Sequence, residues 1–378
     1  MDSKKYNNIK LAVGIGKGIA GFLLILFFVV SGLSKSLLVY LNQYSANNYL
    51  LFLLFVGLTG FAAGILFFPL NFYTDFYLEH KYNLSNQSFF AWIWEDMKGL
   101  LVSLVFGIPL LLLFFFSLNQ FGANWWLPFA IIIFILSVVL ARIVPVLILP
   151  LFYKVTPLED DNLIERIKVL AADAGIKVEN VYKFNMSKNT KKANAAFTGI
   201  GKSKRILLGD TLLTNFSNDE IETVIAHELG HYKKKHIIKN IIIGTVSSFT
   251  TLFLIALFYD ISIGWFNFSL RTNIAALPLL SLWGMVIGLL LTPISNIISR
   301  KYEYEADEYS VNSTGKPNDF IKTLEKLNEQ NLGDKDPHPF IEWFFYSHPS
   351  ILNRVTAIKS LPVFLNLAIG SEKNYLGD

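Results

Sequence analysis

Five stretches without a single Asp, Glu, Lys or Arg constrain this chain more than anything else in it. They cover residues 18–34, 36–74, 99–141, 240–259 and 272–299. One bilayer crossing takes roughly 20 apolar residues. The run 36–74 therefore holds one span, from Tyr49 to about Phe72, behind the polar loop Asn42–Asn48. The run 99–141 must hold two, folded at Asn119–Asn124, and the second continues past Arg142 to about Leu151. Six spans follow, at about 13–33, 49–72, 99–118, 125–151, 237–259 and 274–298. Composition agrees: 53% of residues are hydrophobic and only 16% charged, against about 25% charged in a typical soluble chain. A soluble globular protein and a disordered tail protein are excluded. The net charge of +4 is too small to call for a nucleic-acid partner. Zero cysteines exclude disulfides, Cys-ligated metal and a thiol nucleophile.

Six spans put both termini on one side. The loops on the other side, 34–48, 119–124 and 260–273, contain only Lys35 and Arg271 of the 33 basic residues. The positive-inside rule makes the termini cytoplasmic. The first apolar run reads as a retained signal anchor, since it is long and lacks an Ala-x-Ala site. Lys17 and Arg142 lie toward cytoplasmic span ends, where their heads can snorkel. The polar blocks 153–236 and 300–378 share the cytoplasmic side and suffice for one domain with its own core. The expected organisation is a membrane domain over 1–152, with cytoplasmic loop 73–98, and a second domain over 153–378 interrupted by the last two spans.

Among six histidines, two fall in His227-Glu228-Leu229-Gly230-His231. Chance gives such an H-E-x-x-H about 0.007 times in a chain of this composition. Ser217-Asn218-Asp219-Glu220 reads as a capping box that starts the helix. On that helix His227 and His231 are about 40° apart, so both imidazoles can reach one zinc ion. Glu228 lies beside them, placed to hold a water rather than the metal. His236 is expected about 180° from His227 on a continuing helix and is rejected as a ligand.

A catalytic zinc site has three protein ligands and one open position. The run Ser299–Asp307, just after the last span, offers Glu303 and Asp307 four residues apart on one helix face. Glu303 can bind zinc while Asp307 orients a ligand imidazole; the bland alternative is a solvated acidic patch. Glu305 should face away. His231 stands about 9 Å before the fifth span and Glu303 about 7–8 Å after the sixth. Both ligand helices are thus expected to be cytoplasmic extensions of the last two spans, with zinc near the membrane face.

These motifs resemble the type I CAAX prenyl endopeptidases, membrane zinc metalloproteases acting on prenylated C-terminal motifs. The resemblance runs from about residue 18 to about 360. It includes the loop Leu70–Ser88 with Phe76–Asn83, the segment from Asn194-Ala195 to Gly199 followed by Lys204–Leu213, and residues 227–243 and 299–307. Tyr346-Ser347-His348-Pro349 with Arg354 completes it. The resemblance implies a mainly α polytopic membrane protein whose six spans surround a chamber, with an α+β cytoplasmic zinc-metalloprotease domain. It implies one Zn2+ on His227, His231 and Glu303, with Glu228 as general base. It places His348 and Arg354 near the scissile carbonyl, either able to donate to the oxyanion, and Asn194 and Ala195 on an edge strand that pairs with substrate. Without the resemblance, His348 would pass as a surface residue before a Pro-initiated helix 349–360, and 194–201 as a small-residue turn. The implied partners are a peptide substrate, prenylated or not, and the bilayer, with the protein acting as a monomer. The short chain without a C-terminal retrieval signal favours a bacterial inner membrane over an ER-type membrane.

The sequence departs from the family pattern in two places. Members usually begin with a further helix, making seven around a large chamber; this chain starts too late for it, which points to a smaller or laterally open chamber. Glu305 often corresponds to Gln in eukaryotic members, expected as a surface change. A heat-shock-type quality-control membrane zinc protease shares H-E-x-x-H and E-x-x-A-D but is shorter with fewer spans. A site-two-type protease carries its motif within a span, whereas Lys233, Lys234 and Lys235 follow this one. A non-enzymatic scaffold or transporter with structural zinc would need a fourth ligand and no Glu228.

Overall fold

The computed structural model describes residues 2–178, 180–198 and 205–364. Gly199 and Lys204, quoted above, lie outside the described residues. Among the described residues, six helices are long and apolar enough to cross a membrane: Asp2–Val30, Asn48–Lys81, Phe89–Asn124, Trp126–Phe152, His236–Phe266 and Ile274–Thr314. Lipid offers no partner to backbone amides, so these segments satisfy them internally as helices. Their starts are set locally. The Asn47 side chain accepts from the Tyr49 and Leu50 amides, and Ser88 Oγ accepts from the Ala91 amide.

The first helix begins well before the expected residue 13 and ends at Val30, where Gly32 takes a left-handed φ of 78°. Its polar opening turns are held by partners that apolar counting does not see. The Tyr6 hydroxyl donates to Glu79 Oε1 at 2.5 Å, and Lys10 Nζ reaches the same oxygen at 2.6 Å. Asn7 donates to the Leu332 carbonyl at 2.8 Å. Lys17 donates to Asn71 Oδ1 on the second span, so it has a partner within the bundle; Arg142 is exposed. At the other end, Lys35 donates to the carbonyls of Phe266 and Asn267 at 3.2 and 3.1 Å. Loops 34–48 and 260–273 thus share one end, as six alternating spans require.

The membrane core gathers Phe52, Phe55, Phe115, Leu118, Trp125 and Tyr259. A cavity of about 700 Å³ opens among all six spans, walled by Phe28, Phe55, Phe114, Phe129 and their neighbours. It lies toward the span ends near loops 34–48 and 260–273, and none of the motif residues lines it.

The second core belongs to the polar domain outside the spans. Leu163, Ile167 and Leu170 pack with Ile206, Leu208, Ile221, Ile225 and Leu229. Its sheet comprises β1 (Val155–Pro157), β2 (Val181–Phe184), β3 (Ala195–Thr198) and β4 (Arg205–Gly209), in the order β1-β2-β4-β3. β2 and β4 are parallel; β1 on β2 and β3 on β4 are antiparallel.

Candidate active site

Local sequence starts the motif helix Asn218–Lys233 as expected. Ser217 Oγ accepts from the Glu220 amide, and the Glu220 carboxylate accepts from the Ser217 amide at 2.8 Å. The helix packs along the polar C-terminal half of the carboxylate helix, Pro278–Thr314, which runs unbroken out of the sixth span. Gly230 allows this approach. A Cβ there would stand 3.0 Å from Ala306 Cα and 3.1 Å from its carbonyl oxygen. The two small residues bring the histidine face against the carboxylates.

The result is a tight triangle. His227 Nε2 and His231 Nε2 lie 3.2 Å apart. Glu303 Oε2 is 3.5 Å from the former and Oε1 is 3.4 Å from the latter. Ligand atoms bound tetrahedrally at about 2.0–2.1 Å stand about 3.3–3.4 Å from one another, so these three residues fit a metal ion. His227 Nδ1 faces Asp307 Oδ1 at 2.9 Å. A carboxylate only accepts, which puts the proton on Nδ1 and the lone pair of Nε2 into the triangle. Glu303 Oε2 is buried, with His348 Nδ1 at 3.0 Å as its nearest polar neighbour outside the triangle; a cation between the three side chains would satisfy its charge. Burial alone works against charge on His227, but the Asp307 and Glu303 carboxylates outweigh it and push the imidazole up to about 9. The pocket favours positive charge at this point.

The remaining residues surround the triangle. Glu228 is half-buried on the motif helix, and among the described residues its charge interacts with the Arg354 guanidinium. Arg354, 8% exposed, donates from Nε to Asp307 Oδ2 at 2.8 Å and from a terminal nitrogen to Oδ1 at 2.5 Å. Its other terminal nitrogen is 3.7 Å from Glu303 Oε2. His348 has a side chain 66% exposed, with Nδ1 3.0 Å from Glu303 Oε2. The helix after it is Ile351–Lys359, started by Ser350 rather than by Pro349. β3 is an edge strand of the sheet and touches the motif helix. Ala195 pairs with Leu208, and the Asn194 carbonyl accepts from the Gly209 amide at 3.0 Å.

Three linked expectations fail together. The motif helix does not continue into the fifth span. It ends at Lys233, Lys235 turns left-handed at φ 59°, and a new helix begins at His236. The break folds His236 back, so its Nδ1 meets His231 Nδ1 at 3.0 Å instead of pointing away. Glu305, expected to face away, lies 2.9 Å from His236 Nε2. The carboxylate helix does extend the sixth span as expected.

A further cluster escaped the sequence reading. Glu79, in the last turn of the second spanning helix, receives Tyr6, Lys10 and, at 2.9 Å to Oε2, Lys192. The loop that follows docks on the chain leading into β3. Lys191 donates its amide to the Leu84 carbonyl at 2.9 Å, and Asn86 donates to the Ser187 carbonyl at 2.8 Å. Charge alone gave no signal, because the partners are remote in sequence.

Comparison with known proteins places this arrangement. Residues 157–361 match the model of peptidase family M48. The chain belongs to that family. Residues 1–154 match a second model, described as CAAX prenyl protease N-terminal, five membrane helices. Over that stretch this M48 member has four candidate spans among the described residues, with the short helix Leu33–Leu41 between the first two. It is 32% identical to CAAX prenyl protease 1 of Saccharomyces cerevisiae over 81% of this chain and 71% of that protein. An uncharacterized metalloprotease of Bacillus subtilis, YhfN, is 31% identical over 93% of this chain and 84% of that protein. The crystal structure of Ste24p from S. mikatae superposes with a TM-score of 0.84 at 28% identity, covering 94% of this chain and 88% of that one. This M48 member is an integral-membrane metallopeptidase, and the heat-shock-type alternative is not favoured.

Proposed function

We propose that the metal is zinc, held by His227, His231 and Glu303, and that Glu228 is the general base for hydrolysis of a peptide bond at the cytoplasmic membrane face. The triangle of ligand atoms at 3.2–3.5 Å, with Glu228 next to His227 on the motif helix, carries this reading. Zinc supplies a Lewis acid that polarises the scissile carbonyl and acidifies the attacking water. Glu228 takes the proton from that water and passes it to the leaving amine. Asp307 fixes the tautomer of His227, and Arg354 holds Asp307 in place through two donors. Arg354 is thereby committed, so His348, open at the mouth, is the better donor to the developing oxyanion. β3, starting beside Asn194 and Ala195, offers a strand edge on which an extended substrate can lie.

The division into a membrane domain over 1–152 and a protease domain over 153–378 follows the two cores. All ligands come from one chain, which supports action as a monomer. The basic residues favour cytoplasmic termini and a cytoplasmic site. The relative in Bacillus subtilis, spanning 93% of this chain, favours a bacterial inner membrane. Similarity to CAAX prenyl protease 1 supports a peptide carrying a C-terminal prenyl group as substrate.

Purified Glu228→Gln protein should retain zinc yet lose peptide cleavage, and undiminished hydrolysis would remove Glu228 from the mechanism. Mass spectrometry of products from one peptide, prenylated and unprenylated, decides the substrate; equal cleavage of both forms overturns the prenyl preference.

A further inference from the structure

His236 and Glu305 are the groups the hydrolysis scheme leaves unused, and their placement is specific. His236 is 1% exposed. Its ring stacks on Tyr302, centroids 4.1 Å apart and planes 10° from parallel. Nδ1 faces His231 and Nε2 faces Glu305. Glu305 also has Lys239 at 3.8 Å and Lys301 at 3.9 Å. The ring arrives there because Lys235 adopts a left-handed backbone at φ 59°, a conformation that non-glycine residues disfavour. On an unbroken helix His236 would point elsewhere.

We propose that Glu305 and His236 form a positioning chain that sets the tautomer of His231 for metal binding, the counterpart of Asp307 behind His227. The chain has one consistent polarity. The Glu305 carboxylate only accepts, so His236 Nε2–H donates to it. The neutral imidazole of His236 then has a lone pair at Nδ1. His231 must supply the proton for the 3.0 Å contact from its own Nδ1. That leaves the His231 Nε2 lone pair facing His227 Nε2 and Glu303. Each ligand histidine thus ends on a carboxylate, His227 directly and His231 through one imidazole.

The inference rests on the metal reading above, so the test separates the two. Zinc affinity of the detergent-purified protein is measured by competition with a chromophoric chelator, alongside the visible d–d absorption of cobalt-substituted protein. Wild type must bind one ion and His227→Ala must lose it; failure there overturns the metal reading itself. Given that, His236→Leu should bind zinc about 10–100-fold more weakly, the usual effect of removing a partner behind a ligand, with a shifted cobalt spectrum. His236→Asn, whose amide oxygen can accept from His231 Nδ1–H, should recover most of the affinity. Glu305→Ala should weaken binding as well, and Glu305→Gln, which keeps an acceptor oxygen, should not. Wild-type affinity in His236→Leu, or a loss that His236→Asn fails to recover, overturns the proposal. If His236→Leu does not fold, Glu305→Ala at its half-buried position decides: unchanged affinity overturns the chain.

Discussion

Asp307 carries the largest concentration of buried electrostatics in the site. It is 2% exposed and accepts from His227 Nδ1 at 2.9 Å, Arg354 Nε at 2.8 Å and a terminal nitrogen of Arg354 at 2.5 Å. Asp307→Asn keeps the shape and removes the charge. One carboxylate oxygen becomes an amide donor facing donors, and the Arg354 guanidinium keeps Glu303, at 3.7 Å, and the charge of Glu228. Removing one partner of a buried ion pair costs about 3–5 kcal/mol. For a domain of this size each kcal/mol lowers the midpoint by about 2–4 °C, so the protease domain should melt about 6–20 °C lower. Zinc should bind about 10–100-fold more weakly, because His227 loses its orienting acceptor. Arg354→Met should cost a similar amount by leaving Asp307 as the unpaired ion. The double variant removes both charges, so its loss should fall short of the sum of the singles by about 0.5–3 kcal/mol. Thermal unfolding followed by tryptophan fluorescence, with zinc content measured in parallel, gives all four corners of the cycle. Strict additivity would show that the pair is not coupled and that Arg354 acts elsewhere.

Other parts of the site give independent tests. Glu303→Ala should lose zinc by metal analysis of the purified protein, and full occupancy would remove Glu303 from the ligand set. Gly230→Ala should force the motif and carboxylate helices apart, since the new Cβ would meet backbone at 3.0 Å; a loss of about 1–3 kcal/mol with reduced zinc affinity is expected, and unchanged melting refutes the close approach. Chelation should lower the melting midpoint and zinc should restore it, because a ligand bound only to the folded state at 100 times its dissociation constant contributes about 2.7 kcal/mol; an unmoved midpoint argues against a metal site. Burial pushes the Glu220 carboxyl up, but the Ser217 amide and Lys326 outweigh it and hold it below its ordinary value. A depressed folded value means the stability it contributes is present above the unfolded value, about 4.3, and fades as pH falls through the folded one. Glu220→Gln should therefore lower the midpoint at pH 7 and flatten its decline in acid, and an acid limb as steep as wild type contradicts this assignment.

The spans were legible because bilayer length and absence of charge are properties of contiguous sequence. The motif helix was legible for the same reason: Ser217 and Glu220, three residues apart, satisfy each other whatever surrounds them. What escaped was set by contacts between remote segments. The polar start of the first helix looks like a tail until Glu79 and Leu332 are seen to meet it. The loop 70–88 matched a pattern, but its attachment to the chain before β3 lies about a hundred residues away.

His236 is the sharpest case, since the error came from a sound rule applied across a boundary. Helical periodicity puts residue 236 opposite residue 227 only if residues 233–236 stay helical, and nothing apolar or capping marks the break there. Three consecutive lysines, 233 to 235, were read as a membrane-flanking charge. In the structure the second and third also form the turn that ends one helix and starts the next. Lysine has no intrinsic preference for φ 59°, so local propensity argued against the turn that occurs. The compensation is tertiary, from His236 packed on Tyr302 and held between His231 and Glu305. The two misread residues, His236 and Glu305, are therefore one misreading: each was assigned a face on its own helix, and each is placed by the other.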